Sequence, residues 1–362
     1  MSPPTDEQLT LAATVRAVVA KHAGPTAVRA SASSERGYDE KLWALLCNQI
    51  GVAALAVPEE YGGIGAGLVE ANLVLTELGR ALVPSPMLGS AVLAAHVLLE
   101  SKDADACARL LPGIADGTTV AAFCWADASG WSTPGPLVES DGTLSGTAHY
   151  VLDGKSADVL IVAARASPGV TLFEVDPGQD GVVRRTSPGM DPTRPLTVVE
   201  FSEVDARPIA AADADRTLAR VRDIACAALA AEQVGAAQGC LELTVDYTKS
   251  RVQFGRPIGS FQALKHRMAD MYALVETARS AADAASASLD PADCAVAKVY
   301  CSEAFSHVAA EAIQLHGGIA ITWEHDAQLY FKRAHGSSQL FGQPDEYVER
   351  FAAVQLAEQA LT

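Results

Sequence analysis

Apolar positions recur every three or four residues from Thr5 to about residue 115. They then recur every second residue to about 212, and every three or four again to the end of the chain. A period near 3.6 gives a helix with one buried face, and a period of two gives a strand half buried in a sheet. The chain therefore reads as an α+β fold. Its expected parts are an N-terminal helical domain over 1–115, a central antiparallel β-domain over 116–214 and a C-terminal four-helix bundle over 215–362.

Local signals sharpen these spans. In "TDEQLTLAATVRAVVAKHAG" Thr5 stands three residues before Gln8, the spacing of a capping box. "YDEKLWALLCNQIG" ends on Gly51, the residue type that closes helices in the left-handed conformation. "TVAAFCWA", "TLSGTAHYVL", "ADVLIVAAR", "GVTLFEV", "GVVRRT" and "LTVVEFSEV" are short, rich in Val, Thr and Phe, and separated by Gly, Pro, Asp and Ser. They read as strands of a small barrel or sandwich. The three long segments after residue 215 are joined by short connections, which makes them antiparallel neighbours in a bundle. Glu324 and Asp326 are expected to serve a helix N-terminus.

Composition narrows the function. With 49% hydrophobic residues the 362-residue chain can bury a large core, and a net charge of −17 argues against a nucleic-acid surface. The seven cysteines include no CxxC pair, so buried thiols in a reducing compartment are expected rather than a disulfide scaffold or a metal site. The N-terminal stretch carries Asp6 and Glu7 and lacks the form of a secretory signal. No apolar run approaches the roughly 18 residues of a membrane span. The expected location is cytoplasmic.

One stretch exceeds what a turn needs. "RVQFGRPIGSFQ", Arg251 to Gln262, joins two helical patterns and carries an arginine, an aromatic and a glutamine at fixed offsets. With "PEEYGGIGAGLVEANLVLTELGRA" and "AIQLHGGIAITWEHDAQLYFKRA" it resembles the acyl-CoA dehydrogenase family of flavoproteins, and the likeness covers nearly the whole chain. The resemblance implies FAD as cofactor and α,β-dehydrogenation of an acyl-CoA thioester. It implies that Arg251 and Phe254 reach the FAD of a neighbouring subunit. Gln262 matches the glutamine on the adenosine half. Gln314, Leu315, His316, Gly317 and Gly318 match the QxxGG stretch on the same cofactor. A guanidinium and bare glycine backbone also suit a pyrophosphate on physical grounds.

The family's proton-abstracting carboxylate is missing. Its two homes hold Phe341 and Ala225, the second followed by Cys226 where the family has an acyl-CoA-contacting arginine. Glu232, two helical turns beyond Ala225, is the one internal substitute. The flavin-lining "TEPGAGSD" is replaced by "FCWADASGWSTPG", and the "WIT" strand by Tyr150, Val151 and Leu152. This pattern resembles the shorter, base-lacking subunit of actinobacterial α2β2 acyl-CoA dehydrogenases acting on steroid side chains. Two alternatives stay open: a self-sufficient homo-oligomer using Glu232, and a non-enzymatic homologue that binds a CoA thioester. An electron-transfer flavoprotein is the acceptor implied by the resemblance.

Overall fold

The computed structural model describes residues 3–138, 142–166 and 169–360. Thr5 opens α1 (Asp6–His22): its hydroxyl accepts from the Gln8 N–H, and Gln8 Oε1 accepts from the Thr5 N–H. Next come α2 (Pro25–Ala32) and α3 (Glu40–Ile50). Asp39 caps α3 by accepting from Lys41 and Leu42 N–H, and Gly51 closes it at φ 78°. After α4 (Leu68–Arg80), Met87–Ala94 winds as a fully buried π-helix into α5 (Ala95–Ser101), and α6 (Ala104–Ala115) follows.

The strands are β1 (Ala121–Cys124), β2 (Ala126–Asp127), β3 (Gly130–Pro134), β4 (Pro136–Val138), β5 (Leu144–Leu152), β6 (Val159–Arg165), β7 (Val170–Val175), β8 (Val182–Thr186), β9 (Leu196–Val204) and β10 (Arg207–Ile209). One sheet runs in the order β10-β7-β6-β4-β5-β9-β8, with β1 beside β6; β2 and β3 form a separate hairpin. Most pairings are antiparallel, but β1–β6 and β4–β6 are parallel. A period of two specifies a strand and its buried face, and it carries no information about the direction of a neighbour. Leu144, Ala148, Leu160, Val162, Phe173, Val199 and Phe201 form the centre of the core under this sheet.

The helices resume with α7 (Ala214–Ser250), and the hairpin strands β11 (Val252–Gln253) and β12 (Arg256–Pro257) lead to α8 (Gln262–Ser288). Then follow α9 (Pro291–His316), α10 (Ala327–Gln339) and α11 (Pro344–Ala360). One 18-residue window of α7 has mean hydropathy 1.3, long and apolar enough to span a bilayer, and 94% of it is buried inside the protein. The expectation that no such run exists is corrected here. Alanines make the segment apolar, and it is a core helix.

By contacts the chain divides into two units, residues 29–71 with 84–225, and residues 1–28, 72–83 and 226–362. The second unit contains α1, most of α4 and the C-terminal helices. In it α4 and α7 cross with backbones touching. A Cβ on Gly235 would lie 1.9 Å from Thr76 O, one on Gly239 2.0 Å from Arg80 O, and one on Gly79 2.3 Å from Glu232 O. Glycine is required at each because the opposing atom is backbone and cannot turn aside. We expect Gly235→Ala to lower stability by about 2 kcal/mol or more, overpacking outweighing the roughly 1 kcal/mol that alanine adds to helix propensity. A urea midpoint at or above that of the wild type would contradict it.

Candidate functional site

The site residues that the sequence picks out gather around the C-terminal end of α7. Tyr247 lies in its last turn, and the Arg251 N–H donates back to Tyr247 O at 2.8 Å. The chain then forms a two-residue hairpin in which Gln253 pairs with Arg256. Its loop residues Phe254 and Gly255 stand at φ 53° and 75°. Positive φ at both positions marks a type I′ turn, where Asn and Gly are the comfortable residues. Phe254 nonetheless occupies the first position, and the residue is 90% exposed. Gln262 begins α8, exposed, with its Nε2 3.0 Å from His266 Nε2.

The end of α9 meets this turn. Tyr247 Oη donates to His316 O at 3.2 Å, and the two rings stack at 4.4 Å between centroids. Gln314 is exposed while Leu315 and His316 are buried. Gly317 takes φ 68° and ψ −148°, and a Cβ on Gly317 or Gly318 would meet nothing within 4 Å. The glycine pair therefore offers bare backbone toward open space.

His316 Nδ1–H donates to Ala312 O at 2.7 Å, which fixes the other ring nitrogen as an acceptor. That Nε2 is buried and has no hydrogen-bond partner among the described residues. Burial holds His316 below the usual imidazole range, with the nearby His325 adding to the effect. The glycine cradle and Arg251, which pairs with no carboxylate among the described residues, fit the pyrophosphate of FAD; the orphaned acceptor on His316 suits an N–H or hydroxyl donor elsewhere on the cofactor.

Tyr247 and His325 were not foreseen. Tyr247 had a legible signal, since it sits four residues before Arg251 and so on the same helix face. His325 had none. The sequence reading placed Glu324 and Asp326 at a helix N-terminus, and Asp326 is the N-cap residue of α10, but its side chain makes no cap bond; the Ala327 N–H donates to His325 Nδ1 at 3.1 Å. Imidazole nitrogen replaces the carboxylate as the acceptor at that helix start.

The base homes look different. Ala225 is wholly buried in α7, and Phe341 is 3% exposed at φ 64°. The Tyr347 hydroxyl donates to Phe341 O at 2.7 Å and accepts from the Cys226 thiol at 3.1 Å. Lys298 Nζ, buried and pushed down to about 8 by desolvation, donates to Ser338 O at 2.6 Å. The turn that carries Phe341 is thus tied to α9 and α11 by protein groups. Glu232 is also buried, and its Oε1 accepts from Arg333 Nη1 at 3.1 Å. A carboxylate held this way balances a buried guanidinium.

In the sheet-bearing unit the "FCWADASGWSTPG" stretch packs on itself. Trp125 and Trp131 meet edge to face at 5.8 Å, and Arg222 lies 4.9 Å over Trp125 while its Nη2 donates to Trp131 O at 2.6 Å. Tyr150, at φ 56°, donates from its hydroxyl to Ala128 O at 3.1 Å. All seven cysteines are free and buried, and burial raises the thiols of Cys47, Cys107, Cys124, Cys240 and Cys301, which makes them poor nucleophiles.

Comparison with known proteins follows the same lines. Residues 5–118 match the profile of the acyl-CoA dehydrogenase N-terminal domain, and residues 223–351 that of the C-terminal domain. The chain is 46% identical over 351 residues to the acyl-CoA dehydrogenase IpdE2 of Mycobacterium tuberculosis, covering 97% of each chain. It is 45% identical to IpdE2 of Mycolicibacterium smegmatis, covering 96% of this chain and 99% of the relative. Among solved structures, a variant of the Tcur3481–Tcur3483 steroid ACAD superposes with a TM-score of 0.88 at 30% identity, covering 99% of both chains. The ChsE4–ChsE5 complex of Mycobacterium tuberculosis gives 0.88 at 26% identity with the same coverage.

Proposed function

The chain belongs to the acyl-CoA dehydrogenase family, and from that premise we propose that it serves as the FAD-completing subunit of a heteromeric enzyme whose partner carries the base. The enzyme class is an FAD-dependent oxidoreductase acting on the CH–CH bond of an acyl-CoA. Bound FAD supplies the acceptor for the hydride that leaves the β-carbon. Arg251 meets the pyrophosphate charge with a guanidinium. Gly317 and Gly318 let it approach backbone N–H groups, and Gln262 and Gln314 offer amide hydrogen bonds from the exposed rim. Phe254 reaches outward to the neighbouring chain that holds the flavin.

One observation carries the reading. Both family positions for the base hold side chains that cannot accept a proton, Ala225 and Phe341, while Arg251, Gln314, Gly317 and Gly318 at the end of the bundle stay exposed. Support for a heteromeric assembly acting on a steroid-derived acyl thioester comes from the steroid ACAD and the ChsE4–ChsE5 complex among the structural neighbours. We propose an electron-transfer flavoprotein as the electron acceptor. The Glu232–Arg333 pair favours this over a homo-oligomer in which Glu232 acts as base.

Purification tests the assignment. Produced alone, the chain is expected to be colourless or poorly soluble. Produced with a base-bearing acyl-CoA dehydrogenase subunit, it is expected to co-purify as a yellow complex. A yellow homo-oligomer with one flavin per chain would overturn the proposal.

A further inference from the structure

Arg256 lies outside the residues assigned so far. It stands across from Gln253, with Val252 across from Pro257 on the next rung. A bond of 2.8 Å from the Ile258 N–H to Arg251 O adds a third rung, in which Arg251 faces Ile258. Side chains of a cross-strand pair share a face, and the face alternates from rung to rung. Arg251 and Arg256 therefore occupy the same face as diagonal neighbours, a relation that spaces backbones by about 7–8 Å.

Two cations so placed repel unless an anion lies between them. Neither has a carboxylate partner among the described residues. No Asp or Glu occurs anywhere from Arg251 to Ala269, in a chain whose net charge is −17. Arg256 is also held in place: its guanidinium carbon lies 4.0 Å from the centre of the Phe261 ring. Stacking on an aromatic face fixes the plane of the guanidinium and leaves its N–H edge available, the arrangement suited to phosphate oxygens.

We propose that Arg256 is a second ligand for the FAD pyrophosphate, sharing its charge with Arg251; this rests on the FAD-completing role above. The test uses the assembled enzyme with Arg256→Gln, Arg256→Lys and Arg251→Gln. Flavin release is followed by the fluorescence of free flavin at low and high salt, and ADP and adenosine are used as competitors. Arg256→Gln is expected to raise the dissociation constant for FAD about tenfold, with a shallower salt dependence, and Arg256→Lys to recover part of the loss. ADP, which carries the diphosphate, should compete less well on Arg256→Gln, and adenosine equally well.

If Arg251→Gln loses flavin and Arg256→Gln does not, the inference falls and the FAD-completing role stands. If Arg256→Gln weakens subunit association at unchanged flavin affinity, the guanidinium meets a partner carboxylate and the inference is overturned. If both variants keep flavin as the wild type does, the role itself fails with it.

Discussion

Given FAD, an acyl-CoA and an electron acceptor, the isolated chain is expected to turn over at least about a hundredfold more slowly than its complex with a base-bearing partner. A positioned general base contributes roughly 10²–10⁴ in rate, and the positions matched to the family's base by resemblance hold Ala225 and Phe341. Glu232 is the internal control. Its carboxylate pairs with Arg333, and both residues are almost fully buried. Glu232→Gln leaves that guanidinium without its counter-charge, which in buried pairs costs about 3–5 kcal/mol. A loss of activity in the single variant could therefore be unfolding. The double change Glu232→Gln with Arg333→Met removes the unpaired charge and should recover much of the stability. In the complex this double variant should keep its turnover. Brisk turnover by the isolated chain, abolished in a folded double variant, would make Glu232 the base and end the partner-subunit reading.

Arg251→Ala in the assembled enzyme should weaken flavin binding by about 1.5–3 kcal/mol, or roughly ten- to a hundred-and-fifty-fold. The magnitude follows from removing a charged donor that has no carboxylate partner among the described residues. Arg251 is exposed, so its loss should leave the chain's own unfolding free energy within about 0.5 kcal/mol of the wild type. The pairing of these outcomes is what distinguishes a ligand contact from a structural one. Flavin retention unchanged in Arg251→Ala, measured by dialysis against buffer, would remove Arg251 from the site.

What could be read in advance was local. The Thr5–Gln8 box and the Gly51 cap are set by residues within five positions of one another, and both form as the sequence indicates. The two changes of period locate the strands because burial on alternate faces imposes a spacing of two on any sheet. What stayed hidden depends on partners distant in sequence. Parallel pairing of β1 with β6 is decided by where Val159 arrives, 38 residues after Ala121. The backbone contact of Gly235 with Thr76 spans an even greater separation, so a glycine inside α7 reads only as a weak helix position. Met87–Ala94 shows the apolar composition of a buried helix, and composition does not report the wider π turn. At the site, Arg251 and the Gln314–Gly318 stretch were visible as motifs. Their joining through the Tyr247 hydroxyl and the stacked His316 ring was not, because it requires α7 and α9 to end side by side.

The tip of the β11–β12 hairpin bears on how this protein can be engineered. An aromatic side chain held at φ 53° with its ring in solvent lowers the stability of the lone subunit by about 1 kcal/mol or more relative to Asn or Gly. A library ranked only by the heat resistance of the separate chain would therefore enrich Asn or Gly at position 254. Each winner would have discarded the side chain that we propose reaches the neighbour's flavin. Selection at this position has to be imposed on the loaded assembly, where the benefit of the ring and the strain it causes are scored together.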